Sequence, residues 1–374
     1  MASMKDVARE AGVSVATVSH VLRGTKRVSS DLTERVRAAA QALGYVPNPQ
    51  ASALRTGRTD TLGVVLPDLT NPFFVALLRA LARAARAAGK ALMVYESEND
   101  DGLEREGLAR LAAGRADGLI WVPVDADAAL DPAADGGARR LVGGVPLVTI
   151  DRPLPGTDAV VADHVAGGAL VARHLKALGH TRVALLSGPG HRPSSRGRRR
   201  GFLEELAPLE PVWELEMGYS HELPAEGRER LAAGGFGAVA CANDVVAFAV
   251  MRQLRERGVS VPGDVSVTGF DDIFWAPFAE PPLTTVRQPL AALSGAAVRL
   301  LLERIQEPER ATRGVVMPVE LVRRGSTAAP AGARPEATQG GGTHGVRTDG
   351  AQAHEPESPE PTPGTLTVRA EEGQ

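Results

Sequence analysis

The feature that most restricts the fold is an alternation of apolar, strand-like runs with helical stretches over residues 61–326. TLGVVLP precedes PFFVALLRALARAARAAG, and the same order recurs in GAVACAND, VVAFAVMRQLRERG and VSVTGFDD. Such alternation predicts an α/β unit in which helices cover both faces of a parallel sheet. About 265 residues with this many strands are more than a single parallel-sheet domain usually contains, so we expect two similar lobes.

Polar and aromatic side chains follow the predicted strands where each strand ends. Ligands of parallel sheets bind beyond the carboxyl ends of the strands, so two facing lobes would place these residues on one cleft. Arginine and carboxylate groups can orient hydroxyls or an anionic group there. The residues predicted to bind a small molecule are Phe73, Phe74, Arg152, Arg192, Ser194, Arg198, Asn243, Asp271 and Gln288.

Several of these positions also have plain structural interpretations, which stay open at this point. Asn243 and Asp244 could cap the following helix, and Asp151 could be a buried structural carboxylate. Arg199 and Arg200 are expected to be solvated. Arg198 and Asp271 are the positions most strongly expected to contact the ligand.

The charge is unevenly distributed along the chain. The whole chain has a formal net charge of -3, but residues 1–60 carry nine basic and five acidic side chains, a net charge of +4. A basic end on a near-neutral body fits contact with phosphates.

Residues 1–46 form three short helical patterns, and the first two are separated by a turn at Gly12. Ser14 stands where a helix N-cap belongs, so the segment predicts a helix-turn-helix. The first residues of the second helix would face bases in the major groove, where Val15 and Ala16 suit thymine methyls and His20 suits guanine. A pair of surface helices in an unrelated domain is the alternative. The predicted DNA-binding residues here are Lys5, Ser14, Val15, Ala16, Thr17, Ser19, His20, Lys26 and Arg27.

The segments KDVAREAGVSVATVSHVLRG, RVSSDLTERVRAAAQALGYVPN and ASALRTGRT closely resemble the LacI/GalR family, and the resemblance continues to about Ser326. It implies an all-α helix-turn-helix domain followed by an α/β sensor of two parallel-sheet lobes, like periplasmic binding proteins. It further implies a transcriptional repressor that binds a palindromic operator in double-stranded DNA as a homodimer, under control of an effector. Leu32 departs from the threonine that the family often has there.

Residues 47–60 are expected to be a hinge. NPQASALRT can form a helix, but so short a helix is marginal in water unless something holds it. The resemblance implies that two such helices pair in the minor groove and that Leu54 wedges into a base step. A flexible linker whose Leu54 touches the sensor is the alternative.

The predicted domains are residues 1–46, the hinge 47–60, the sensor 61–326 and a disordered tail 327–374. Within the sensor, we expect an N-lobe of about 61–160 plus 290–317 and a C-lobe of about 161–289 plus 318–326. The tail carries few large apolar side chains and so cannot offset its ordering entropy. It holds no leucine heptad, which favours a dimer.

The effector is expected to be a sugar or sugar derivative, because the predicted cleft is rich in arginine and purine-binding relatives place an aromatic ring at Arg152. A purine- or nucleoside-responsive repressor is the alternative, and a ligand-binding protein without a DNA role is a remote one. No catalytic set, metal-ligand spacing or P-loop is present, so no enzyme activity, cofactor or metal is expected. One cysteine, no signal peptide and no membrane span predict a cytoplasmic protein.

Overall fold

The computed structural model describes residues 2–23, 28–45, 58–114, 116–124 and 141–330. The chain divides into two compact units, Met1–Thr61 and Leu62–Gln374. Most of the predicted hinge, including Leu54, and most of the predicted tail lie outside the described residues. The hinge, the tail and the lobe boundaries therefore stay predictions.

The described residues of the first unit form three helices: α1 (Met4–Glu10), α2 (Val15–Arg23) and α3 (Ser30–Ala42). A reciprocal capping box starts α1, since Asp6 N donates to Ser3 Oγ at 3.3 Å and Ser3 N donates to Asp6 Oδ2 at 3.0 Å. Gly12 has a φ of +61°, which lets the chain leave α1 in a tight turn.

Small apolar side chains form the core of this unit. Val7 of α1, Val18 of α2 and Val36 of α3 are completely buried. Alanines at neighbouring positions complete the same cluster and allow the short helices to approach closely. This packing fixes which face of α2 remains available at the surface.

The second unit alternates strands and helices, as the sequence predicts. Its strands are β1 (Thr61–Leu66), β2 (Ala91–Glu96), β3 (Gly118–Trp121), β4 (Leu147–Ile150), β5 (Asp158–Ala162), β6 (Val183–Ser187), β7 (Trp213–Glu216), β8 (Ala238–Cys241), β9 (Ser266–Thr268), β10 (Thr285–Arg287), β11 (Gly314–Met317) and β12 (Glu320–Val322). Its helices are α4 (Pro72–Ala87), α5 (Asp101–Gly114), α6 (His164–Ala177), α7 (Pro193–Leu206), α8 (Ala225–Ala233), α9 (Asp244–Glu256) and α10 (Leu290–Gln306), with a 3-10 turn at Ala276–Phe278.

Two parallel sheets organise these elements. The first has the order β11-β5-β4-β3-β1-β2, and the second has the order β7-β6-β8-β9. The pairs β1–β3, β3–β4, β4–β5 and β5–β11 are parallel, as are all three pairs of the second sheet. β10 and β12 form a small antiparallel pair. The helix-turn-helix and the two parallel sheets confirm the predicted fold class.

Each sheet has its own core, and the chain passes between the two lobes three times. β5 of the first sheet leads to α6, which packs on the second sheet through Val171, Ala172 and Leu175. After β10 the chain returns to α10, whose Leu301 lies in the core of the first lobe. It crosses again between β11 and β12. The lobes are therefore connected by short segments beside the ends of their strands.

Among the described helices, none combines the length and the apolar character that a membrane crossing requires.

Candidate functional site

The first unit presents the start of α2 at its surface. Ser14 caps the helix, because Thr17 N donates to Ser14 Oγ at 3.1 Å. Val15 is 41% exposed and Ala16 is also exposed, while Val18 lies in the core. An apolar, uncharged first turn is thus free to approach another surface, as a recognition helix requires.

The other predicted DNA contacts are distributed around this turn. Lys5 is exposed on α1, and Thr17, Ser19 and His20 are half-buried on α2. The remaining predicted contacts in this region, Lys26 and Arg27, lie outside the described residues. The described part therefore places a compact set of polar and small side chains around Val15.

Arg198 on α7 is the centre of the polar network in the cleft. Its Nη1 donates to the carbonyl oxygen of Ala242 at 2.8 Å, and its Nη2 donates to Asp271 Oδ1 at 3.2 Å. Its guanidinium carbon lies 3.8 Å from the centre of the Phe270 ring. Arg198 thus joins the strand ends after β8 and β9.

Two glycines set the height of Arg198 above the sheet. A Cβ on Gly168 of α6 would lie 2.0 Å from the carbonyl oxygen of Arg198, and one on Gly201 of α7 would lie 1.9 Å from that of Val165. Only glycine permits the backbones of α6 and α7 to approach this closely. The sequence pattern around these glycines does not reveal this close approach, which depends on how α6 and α7 pack.

Asp271 and Gln288 complete the side of the network that belongs to the second lobe. Gln288 Nε2 donates to Asp271 Oδ1 at 2.8 Å, and Asp271 has a φ of +117°. Burial raises the pKa of Asp271 to about 6, against the opposing effect of the nearby Arg198 charge. Asn243 accepts a hydrogen bond from Val246 N at 3.0 Å, so it caps α9, the structural function left open above.

The network reaches the first lobe through His164 and Asp151. Arg198 Nε donates to His164 Nδ1 at 3.3 Å, so His164 Nε2 carries the proton and donates to Asp151 Oδ1 at 2.7 Å. Burial lowers the pKa of His164. Although burial opposes it, the pKa of Asp151 is lowered by His164, Arg152 and Arg198. Asp151 also has a φ of +68°, and it links both lobes.

Arg152 is almost completely buried at the end of β4. Its Nη1 donates to the carbonyl oxygen of Val124 at 2.6 Å, and its Nε lies 3.7 Å from Asp151 Oδ2. Glu104 binds the other backbone group of the same residue, because it accepts hydrogen bonds from Val124 N at 2.6 Å and from Trp121 Nε1 at 2.9 Å. Glu104 could not be identified from the sequence, since the polarity of α5 does not show which of its carboxylates is buried.

The remaining predicted contacts separate into two groups. Ser194 is buried in the wall of the cleft, and Arg192 Nη2 donates across it to Asn99 Oδ1 at 3.2 Å. Phe73 and Phe74 instead pack edge-to-face, 5.2 Å apart, in the core of the first lobe. Both rings therefore stabilise α4 in the core and lie outside the polar network.

Replacement of Glu104 by glutamine is expected to make stability less dependent on pH. Burial raises the pKa of Glu104 to about 7, opposed by its hydrogen bonds and by Arg152, while Asp101 raises it further. A folded-state pKa above the unfolded value gives stability at low pH that is lost as pH rises through 7. We expect similar stability of both proteins at pH 5, and a variant more stable by on the order of 3 kcal/mol at pH 8.

Urea denaturation of the two proteins at both pH values measures this difference. Glu106→Gln on the exposed face of the same helix is the control, since Glu106 is 43% exposed and pairs with the exposed Arg110. A pH dependence that is identical in wild type and Glu104→Gln would contradict the assignment of the titrating group.

A helix-turn-helix unit with a two-lobed, parallel-sheet unit defines a class, the DNA-binding regulators that carry a periplasmic-binding-protein-like sensor. Residues 3–48 match the family described as bacterial regulatory proteins, lacI family, and residues 172–327 match the periplasmic binding protein-like domain. The HTH-type transcriptional repressor PurR of Photobacterium profundum is 34% identical over 334 residues, covering 87% of this chain and 98% of PurR. GalR of Salmonella typhimurium (strain LT2) is 35% identical over 311 residues, 81% of this chain and 89% of GalR.

Solved structures agree with these relatives. The lac repressor dimer bound to operator and the anti-inducer ONPF matches with a TM-score of 0.75 and 30% identity, over 88% of this chain and 99% of that chain. The transcriptional regulator CelR in complex with cellobiose matches with a TM-score of 0.63 and 30% identity, over 87% and 100% of the two chains. The chain belongs to the LacI family of bacterial regulatory proteins.

Proposed function

We propose that this chain is a cytoplasmic transcriptional repressor that binds a two-fold symmetric operator as a homodimer and responds to a small effector in its cleft. The observation that carries the proposal is the network around Arg198, which reaches Asp151 of the first lobe through His164, in a chain whose helix α2 also exposes its first turn. A ligand that prefers one arrangement of the lobes would shift the population of that arrangement. The site has a binding role.

The head would bind DNA through the first turn of α2, with Val15 and Ala16 on base edges and Lys5, Ser14, Thr17, Ser19 and His20 around them. Lys26 and Arg27 would extend the phosphate contacts, and Leu54 would kink the central step as a minor-groove wedge. These assignments follow the family resemblance together with the exposed, capped start of α2.

An exposed aromatic cluster supports the homodimer. Phe274 and Phe278 are each 65% exposed and Trp275 is 57% exposed. The Phe274 ring centre lies 5.1 Å from that of Trp275 and 5.3 Å from that of Phe278, so the three rings form a continuous apolar surface. A patch of this kind is typical of an interaction surface, and a second copy of the chain is the occupant we propose.

The experiment that tests the function is a footprint of the full-length protein on genomic DNA, with and without small molecules. We expect protection of sites with two-fold symmetry and half-sites about one helical turn apart. Failure to protect any such site under every condition would overturn the proposal.

Replacement of Ala16 by glutamate is expected to lower operator affinity about ten- to hundredfold, because a carboxylate would meet base edges and phosphates at the start of α2. Fluorescence anisotropy with a footprinted operator measures the loss. Ala38→Glu is the matched control, since Ala38 is also exposed but lies on α3. Equal affinity losses in the two variants would contradict the assignment of α2 as the recognition helix.

The effector is either a sugar or sugar derivative or a purine. The residues of the cleft favour the sugar. Arg152, Arg192 and Arg198 offer charge-assisted donors that suit hydroxyl-rich ligands. Phe73 and Phe74, the predicted aromatic wall, pack in a core rather than in the network. A thermal-shift screen of sugars, sugar phosphates and nucleobases separates the classes, and stabilisation by nucleobases alone would favour the purine alternative.

A further inference from the structure

Arg35 of α3 reaches the turn of the helix-turn-helix. Its Nη2 donates to the carbonyl oxygen of Ala11 at 2.6 Å, although the two residues are 24 positions apart in the chain. Ala11 is the C-cap of α1 and is itself buried. The contact therefore joins the third helix of the unit to the end of the first.

The carbonyl group that accepts this bond belongs to a helix end. The last carbonyls of a helix have no amide partner within the helix, and the negative end of the helix dipole lies there. Within the described residues, no backbone N–H donates to the carbonyl oxygen of Ala11. The guanidinium of Arg35 supplies both a donor and a positive charge at this point, so the contact stabilises the end of α1.

The same guanidinium lies over the turn that follows α1. A Cβ on Gly12 would lie 3.1 Å from Arg35 Nη2. Gly12 has a φ of +61°, and Val13 N donates back to the carbonyl oxygen of Ala8 at 3.0 Å. Ser14, the cap of α2, follows directly. Arg35 therefore makes its contact at the point where the direction of α2 is set.

The backbone of Arg35 is fixed by the core, whereas its charge is only weakly matched. The next residue, Val36, is completely buried among side chains of α1 and α2. Asp31, the carboxylate closest to Arg35, lies 3.8 Å from its Nη1 and is 80% exposed. An exposed pair at this distance contributes little, so the bond to Ala11 is the contact that orients the guanidinium.

We propose that Arg35 is a positioning residue for operator recognition. It holds the turn after α1 and thereby fixes the angle at which α2 presents Val15 and Ala16 to base edges. The inference rests on the proposed function and assigns to α3 a function beyond packing. Base readout depends on short contacts in the groove, so a loose turn would weaken sequence-specific binding and leave the attraction to phosphates largely intact.

The test compares Arg35→Met with wild type in the full-length protein. Methionine has a similar helix propensity but removes both the donor and the charge. Fluorescence anisotropy measures affinity for a footprinted operator and for DNA of scrambled sequence between about 50 and 200 mM salt. We expect operator affinity to fall about thirtyfold, because one charge-assisted bond is lost in each of two heads, and affinity for scrambled DNA to fall less than about threefold.

Two further variants separate positioning from charge. Arg37→Met is the matched control, since Arg37 is also exposed on α3 and its loss removes the same charge. We expect this control to retain the preference for operator over scrambled DNA. Arg35→Lys keeps a charged donor and should recover most of the operator affinity that Arg35→Met loses.

Hydrogen exchange of the free protein provides a readout that a general loss of stability would not reproduce. In Arg35→Met we expect faster exchange at Gly12 and Val13, whose amides bond within the turn, and unchanged exchange in the middle of α1 and α3. A variant that merely destabilises the unit would exchange faster in all three helices.

The proposal would be overturned by operator affinity of Arg35→Met within about threefold of wild type, or by a lysine variant as weak as the methionine variant. Equal losses on both DNAs with a shallower salt dependence would also overturn it, since Arg35 would then be a phosphate contact. Wild type that binds operator and scrambled DNA equally would instead refute the proposed function, so the two failures are distinguishable.

Discussion

Replacement of Arg198 by alanine is expected to abolish most of the response of operator binding to the effector. The variant loses the donors to His164 Nδ1, Ala242 O and Asp271 Oδ1 within the second lobe, and with them the support of His164, which bonds to Asp151 of the first lobe. Truncation of one partner in a buried, hydrogen-bonded charge pair costs about 2–5 kcal/mol. We therefore expect the effector concentration for half-response to rise by between about thirtyfold and a few thousandfold.

The measurement is operator binding by fluorescence anisotropy, titrated with the compound that the thermal-shift screen selects. Arg199→Ala is the matched control, because Arg199 is the next residue but is 48% exposed and pairs with Glu214. Operator affinity without effector should remain within a few-fold of wild type in both variants. An unchanged dose–response in Arg198→Ala would remove Arg198 from the effector site.

A second readout of the same variant needs no ligand. Arg198 lowers the pKa of the buried Asp271 from the value that burial alone would impose. Without Arg198 the pKa of Asp271 in the folded protein rises further above its unfolded value. The stability of the variant is therefore retained at low pH and falls more steeply as the pH rises through that pKa. The difference in Tm between pH 5 and pH 8 is therefore expected to be larger in Arg198→Ala than in Arg199→Ala.

The sequence predicted the position of this network through a simple rule. Strand-like runs located the carboxyl ends of the parallel strands, and residues at those ends meet in a cleft. Arg198, Asp271 and Gln288, chosen on this basis, lie within hydrogen-bond distance of one another or of a shared partner. Asp271 and Gln288 follow strands closely in the local pattern, whereas Arg198 lies within α7, which begins at Pro193.

The same rule could not identify contacts that depend on how helices pack. His164 and Glu104 lie on helices, and their partners Asp151 and Trp121 belong to different elements. Nothing in the local pattern distinguishes a buried glutamate on α5 from the exposed ones beside it. Phe73 illustrates the opposite case, because an aromatic residue after a strand suits a ligand wall and a core equally well.

Replacement of Asp158 by alanine is expected to destabilise the sensor strongly. Asp158 is completely buried at the start of β5, and its carboxylate accepts from Arg304 Nε at 3.0 Å, Arg310 Nη2 at 2.8 Å and the backbone N of Arg313 at 2.8 Å. The variant leaves two buried guanidiniums without their counter-charge, which costs about 3–5 kcal/mol. We expect Tm to fall by roughly 10 °C.

Glu303→Ala is the control for this prediction. Glu303 is another carboxylate paired with an arginine, Arg313, in the same region, but it is 38% exposed. An exposed pair contributes about 0–1 kcal/mol, so this variant should unfold close to wild type. Comparable losses of stability in the two variants would show that the Asp158 cluster, which is Asp158 with Arg304, Arg310 and the backbone of Arg313, contributes no more than an exposed ion pair.

The Asp158 cluster also bears on the effector site, because it anchors the strand that leads to His164. β5 pairs with β11 at Ala159 and Gly314, and Asp158 fixes the start of both strands through Arg313. Hydrogen exchange should therefore increase along β5 and into the first turn of α6 in Asp158→Ala. If exchange increases only near Arg304, β5 is stabilised by its hydrogen bonds to the neighbouring strands, and His164 is positioned independently of the Asp158 cluster.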